Sequence, residues 1–274
     1  MSQPAKQTVS APKKSGTGIS LPTIVIPIAL VTGYCIWKFV CGNGSNFEGG
    51  TNEGHPLGGN IMGTIYKGGF IVPILMAFAM IVIVFSIERM LTLSAAAGKG
   101  NVSDFISRVK AHLGNGNIDA ALSECDKQKG SVANVIRATV EKYSEMERDT
   151  HLSKDQKVAA IRAEVTEATS LELPILEKNL PILATLTSVG TLTALLGTVS
   201  GMIKAFSALA TSGTPDAAAL STGISEALIN TALGIATSVI AMIMYSFFTT
   251  KIDAMTYSID EAGFSIASTY STKH

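Results

Sequence analysis

The sequence predicts an all-α, polytopic membrane protein with four transmembrane helices, the last two extended, and a helical cytoplasmic stalk. Three observations carry this. Of the 274 residues 47% are hydrophobic and only 15% charged, against about 25% charged in an ordinary soluble domain, and mean hydropathy is +0.35. Residues 68 to 87, 179 to 203 and 227 to 250 contain no Asp, Glu, Lys or Arg, and a helix needs about 20 apolar residues to cross a bilayer. Between the first two of these stretches the chain returns to a charged pattern with apolar residues at helical intervals. A soluble two-domain enzyme is excluded. So is a nucleic-acid binder, because 21 Lys and Arg balance 21 Asp and Glu and leave no excess to neutralise phosphates.

Residues 1–18 are polar and basic and are expected to be a disordered cytoplasmic N-terminus. Residues 19–41 form an extra, first transmembrane helix containing Pro22, Pro27 and Lys38. It reads as a retained span because a long charged region precedes it and no Ala-x-Ala cleavage site follows. Residues 42–67 are expected to be an exposed, flexible periplasmic loop, since nine glycines fall within 42 to 68 and such a composition buries no core. The second span, 68–93, ends near Glu88 and Arg89, read as interfacial anchors.

The region 94–178 predicts three or four cytoplasmic helices, from Phe105, Val109 and Leu113 and from Val132, Val135, Ile136, Val140, Tyr143 and Met146. Ser153 and Gln156 read as a capping box. With no strong stop before Thr211, the chain from there predicts one rod about 85 Å long, kinked near Pro174 and Pro181. The third span covers 179–210, a Gly-, Pro- and Asp-containing periplasmic turn 211–219, the fourth span 220–250, and a cytoplasmic C-terminal tail 251–274. Lys and Arg number three before the first span, one in 42–68, thirteen from Arg89 to Lys178, none from 207 to 219 and two after 250. This bias places both termini and the central region in the cytoplasm.

Cys35, Cys41 and Cys125 are too scattered for a disulfide framework or a metal site. All four histidines lie outside the apolar segments, so no metal or cofactor is expected. No Ser/His, paired-Asp or His-Glu-x-x-His arrangement lies within the spans; no catalytic residue is assigned and the chain is not expected to be an enzyme. In the third span Thr187, Thr191 and Thr198 share a helical face. Singly, each hydroxyl reads as bonded back to its own helix; together they read as a polar stripe. In the fourth, Thr222, Glu226, Asn230 and Thr237 share a face beside a small-residue stripe of Gly223, Ala227, Gly234, Ser238 and Ala241, which suits close helix packing. Glu226 has two readings: an intramembrane functional carboxylate, or a residue at the outer membrane edge, because 24 uncharged residues follow it. Lys204 either snorkels to water or faces a pore and repels cations.

Two stretches carry a resemblance. Leu195-Leu196-Gly197-Thr198-Val199-Ser200-Gly201-Met202 and Gly223-Ile224-Ser225-Glu226-Ala227-Leu228-Ile229-Asn230-Thr231-Ala232-Leu233-Gly234 resemble, in order, the two signatures of the ExbB/TolQ/MotA proton-channel family, and the ExbB/TolQ branch in particular. The likeness extends more weakly from Lys67 to Tyr245 and excludes residues 1 to 60. The chain departs from the branch at Thr191 and Ile240, where Pro is common, and at Lys204, where the usual residue is uncharged. The resemblance implies a multi-pass bacterial inner-membrane homo-oligomer, a pentamer, whose last two spans line a pore among membrane lipids. It implies an ExbD/TolR-like single-span partner inside that pore and a TonB-like protein that conveys the work to the outer membrane. Carried over by position, Thr198 and Thr231 would line the ion path with Glu226 and Asn230 beside them, and Gly197, Gly201, Gly223, Ala227 and Gly234 would pack the helices.

The function so implied is a proton-conducting stator subunit that couples the proton-motive force to TonB-type transport. A TolQ-like or motility-type stator is the alternative within the family. Outside it stand a non-conducting membrane scaffold and a secondary transporter, the latter disfavoured because the two halves are unlike.

Overall fold

The computed structural model describes residues 20–211 and 217–273. The expected N-terminal disorder and most of the 211–219 turn lie outside the described residues. Nine α-helices and no strand occur among those described: α1 (Leu21–Cys35), α2 (Ile61–Tyr66), α3 (Ile71–Ala97), α4 (Val102–Gly114), α5 (Ile118–Gln128), α6 (Gly130–Arg148), α7 (Lys154–Glu177), α8 (Leu180–Thr211) and α9 (Ala217–Lys273). Four segments are long and apolar enough to cross a membrane: α1 with its π-helical continuation to Cys41, the helix from Ile71, α8, and α9. Pro22 sits in the first turn of α1, where a missing amide costs nothing. The protein is an all-α polytopic membrane protein.

α8 packs against α9, α3 against both of them, and α1 against the outside of α3. At one end of this bundle α4 to α7 gather around the C-terminal half of α9, and a continuous apolar core runs from Ala29 to Tyr270. There is thus no separate globular domain. Helix starts follow local chemistry: the side chains of Asn60, Asn101 and Asn117 accept from amides of the first turns of α2, α4 and α5. Ser153 and Gln156 close the expected capping box on α7.

Three expectations are corrected. The 153–211 stretch is not one rod: α7 ends at Glu177, and Asn179 takes φ 64°. Asn tolerates this left-handed conformation better than most residues, and Pro181 then opens α8 as a first-turn residue. The rod is α9, whose 57 residues hold no proline and reach about 85 Å at 1.5 Å per residue.

The 251–274 segment, expected as a tail, is the far end of that rod. Phe248, Ile252, Met255, Ile259, Ala262 and Ile266 are buried at alternating spacings of four and three, the seam of a coiled coil. Tyr270 continues it, its ring edge-on to Tyr143 at 4.9 Å and its hydroxyl donating to the Met146 carbonyl at 2.9 Å.

The Gly-rich 42–67 segment is a folded cap and not a flexible loop. Phe47 is 3% exposed, Trp37 stacks on Tyr66 at 4.8 Å, and Phe47 and Pro56 pair as an antiparallel bridge. The Asn46 amide donates to the carbonyls of Val40 and Cys41. The aromatic rings supply the burial that the glycines cannot.

Candidate functional site

Small residues set how closely α8 and α9 approach. A Cβ on Gly201 would lie 2.8 Å from the Gly223 carbonyl oxygen and 2.9 Å from the Ala227 amide nitrogen; one on Gly234 would lie 2.1 Å from the Ala194 Cβ. Gly197 makes room for the Asn230 side chain, 2.7 Å from where its Cβ would be. With backbones this near, side chains one turn apart on the two helices meet directly.

Thr198 and Thr231 do so. Their hydroxyl oxygens are 2.5 Å apart. Thr198 also lies 3.1 Å from the Ala194 carbonyl and 3.3 Å from that of Ala227, and Thr231 lies 3.0 Å from the Ala227 carbonyl. Two protons serve this set, so at any instant each hydroxyl donates once and keeps lone pairs to accept. The pair can reverse its polarity by rotating two O–H bonds. Thr198 also borders an open apolar groove lined by Val199, Met202, Ile203 and Phe206.

Five or six residues further toward the cap, the Lys204 ammonium meets Glu226 Oε1 at 2.7 Å. The Glu226 side chain is 9% exposed and that of Lys204 58%. The acid therefore reaches water chiefly through its partner. Both residues lie about 10–14 Å in from the described ends of their helices, at 1.5 Å per residue. Above them a polar cleft of about 170 Å³ separates the cap from α9, lined by Glu53, His55, Lys67, Ser221, Thr222 and Ser225.

Asn230 is fully buried and donates from Nδ2 to the Gly68 carbonyl at 2.9 Å. Its Oδ1 is enclosed with no protein partner. Exchanging the amide's two ends would not help, because the Gly68 carbonyl needs a donor. The same glycine turn presses on the acid: a Cβ on Gly69, at φ 77°, would stand 2.3 Å from Glu226 Oε1.

Of the four residues assigned to the path, Thr198, Thr231 and Glu226 thus lie along one α8–α9 seam, while Asn230 is enclosed between that seam and the start of α3. Thr187 donates to the Ala184 carbonyl at 2.6 Å, as singly read, and Thr237 donates in the same way to that of Leu233 at 2.8 Å. Among the described residues no group of three His, Cys, Asp or Glu side chains converges that could hold a metal.

Two groups escape the sequence reading. Lys204, 22 residues before Glu226 and on the facing helix, is its ion-pair partner. Arg89 is not an interfacial anchor but 1% exposed. Its Nε donates to Glu88 at 2.7 Å and its guanidinium to the Leu176 carbonyl at 3.1 Å, while Asn179 donates to Glu88 at 3.4 Å. α3 therefore holds both sides of the α7–α8 break, a contact across 87 residues of sequence that no local pattern announces.

Residues 128–261 match the MotA/TolQ/ExbB proton channel family. The chain is similar to the Tol-Pal system protein TolQ of Pseudomonas aeruginosa, 32% identical over 47% of this chain and 59% of that protein. It is similar to a putative biopolymer transport protein ExbB homolog of Methanothermobacter thermautotrophicus, 38% identical over 34% of each. Biopolymer transport protein ExbB of Pseudomonas putida is 33% identical over 30% of this chain and 25% of that protein. The chain therefore covers less than two thirds of each of these relatives. The matched stretch, a little under half of the chain, holds α6, α7, the break at Asn179 and the whole described α8–α9 seam, and it is over this stretch that the chain is similar to the MotA/TolQ/ExbB proton channel family.

Proposed function

We propose that the chain is a proton-conducting stator subunit of the inner membrane, which couples the proton-motive force to a TonB-type transducer of outer-membrane transport. The observation that carries the reading is the Thr198–Thr231 hydroxyl pair at 2.5 Å. Hydroxyls hold water in a narrow apolar passage without a fixed charge that would trap the ion. The orphan Oδ1 of Asn230 supports it, because a buried acceptor without a protein donor is where an ordered water belongs.

In this reading the subunit works as a homo-oligomer, a pentamer, around an ExbD/TolR-like single-span protein that supplies the titrating carboxylate. Wide apolar faces of both helices, with Leu192, Leu195, Leu196, Leu228, Ile243 and Met242 each more than half exposed, suit neighbouring subunits and lipid. The Lys and Arg excess puts the α4–α7 end and both termini in the cytoplasm. The cap, with the C-terminal end of α8 and the N-terminal end of α9, then faces the periplasm.

A TolQ-type role is the second reading, favoured by the TolQ relatives. Cells carrying the Thr198→Val/Thr231→Val variant separate the two. Loss of energised outer-membrane uptake with an intact envelope supports the TonB-type role, a leaky envelope with normal uptake supports the TolQ-type role, and normal behaviour in both assays overturns the hydroxyl path.

A further inference from the structure

At the cap end of the α8–α9 seam two groups close on one carboxylate. Lys204 reaches Glu226 Oε1 from α8 at 2.7 Å. The Gly69 α-carbon leaves no space for a side chain on the opposite side, since a Cβ there would stand 2.3 Å from the same oxygen. One turn deeper, Asn230 ties α9 to the Gly68 carbonyl at 2.9 Å. A lone carboxylate buried as Glu226 is would cost several kcal/mol; the ammonium offsets its charge, and the glycine turn fixes which oxygen the ammonium meets. The seam thereby presents no net charge above the hydroxyl pair.

We infer that Lys204 and Gly69 are positioning residues that hold Glu226 as a neutral clasp at the mouth of the path, joining α8 to α9 beside the turn into α3, so that Glu226 is a structural counter-ion and not an ion carrier. This rests on the conduction reading and deepens it. With either charge removed alone, the other stands unpaired at the mouth: a bare ammonium repels an entering cation, and a bare buried carboxylate binds it or draws the helices apart. With both removed, the mouth is neutral again and the path works. A carboxylate that carried the ion itself could not be replaced in this way.

The test is proton flux, driven by an imposed potential, in liposomes holding the chain with its co-purifying single-span partner, each value normalised to assembled complex. Lys204→Met, which leaves the buried Glu226 carboxylate unpaired, and Glu226→Gln, which leaves a bare ammonium at the mouth to repel the cation, are each expected to lower flux about tenfold or more. The Lys204→Met/Glu226→Gln double variant is expected to recover to within about threefold of wild type, and Lys204→Arg, which keeps the pair, to lose little. Gly69→Ala is expected to behave like the single variants. A double variant as inactive as Glu226→Gln alone overturns the clasp, as does a Glu226→Gln single that conducts normally.

Melting of the complex in detergent gives a readout independent of conduction. The single variants are expected to melt earlier and the double variant to regain the wild-type midpoint. Should wild type itself conduct nothing while this melting pattern holds, the conduction reading fails and the clasp stands. Equal melting of all four overturns the clasp whatever the flux.

Discussion

Thr198 and Thr231 combine two roles that substitution can separate. Each hydroxyl has a carbonyl of its own helix within reach, at 3.1 and 3.0 Å, which removes most of the cost of a polar group in an apolar seam. Each also faces the other. Replacing both by Val therefore changes stability little, by about 0.6 to 1.5 kcal/mol per hydroxyl, while it removes every rotatable donor from that level. Thr198→Ser keeps the hydroxyl and loses only a methyl group, so flux is expected to stay within about threefold of wild type, which is about 0.65 kcal/mol on the barrier at an RT of about 0.59. A flux measurement on Thr198→Ser checks this; a loss as complete as that of Thr198→Val would mean that packing, and not the hydroxyl, is what the position supplies.

At the scale of elements, the α7–α8 break is where the spans meet the stalk. Asn179 holds φ 64° there, and a β-branched residue in that conformation costs about 1–3 kcal/mol. Asn179→Val is expected to lower the melting midpoint, and Asn179→Gly to leave it unchanged or raise it; the reverse order would show that the left-handed turn is absent. Within the stalk, burial pushes the Cys125 thiol up to about 12 from 9.0, and that of the Tyr143 hydroxyl up to about 12 from 10.0. Both groups are held in their neutral form by the fold and ionise more readily once it opens. Their contribution is fully present below pH 9 and falls as pH rises from 9 toward 12. Melting followed by circular dichroism is expected to weaken across that window, with less weakening in a Cys125→Ala variant; an identical decline in that variant would remove Cys125 from the account.

Much of this was legible locally. The charge-free stretches specify the spans, the Ser153 box starts α7 as read, and the small-residue stripe of α9 meets the backbone of α8. What failed did so for nameable reasons. Asn179 followed by Pro181 is a stop and restart signal, and Pro181 by itself signals only a kink. The four-three spacing from Phe248 to Ile266 was visible and lay beyond the end of a span, where a tail was expected. Arg89 and Asn230 could not be read from pattern at all, because their partners, Leu176 and Gly68, are far along the chain.

For the molecule as a whole, α9 is the common member. Its first half forms the seam with α8, and its second half is the core around which α4, α6 and α7 pack. An unbroken helix of this length resists bending, so displacement at one end reaches the other through the rod itself. Membrane seam and stalk are thus joined through one helix, which suits the stator role proposed above. Moving one charge through the membrane supplies about 2.3 kcal/mol per 100 mV, so in the proposed role several protons would supply the work of shifting a partner. Proton entry into liposomes carrying the chain and its co-purifying single-span partner, under an imposed potential, tests the central claim most directly. The account predicts that wild type acidifies the lumen and that the equally assembled Thr198→Val/Thr231→Val variant falls to the rate of empty liposomes; wild-type flux in that variant would contradict it.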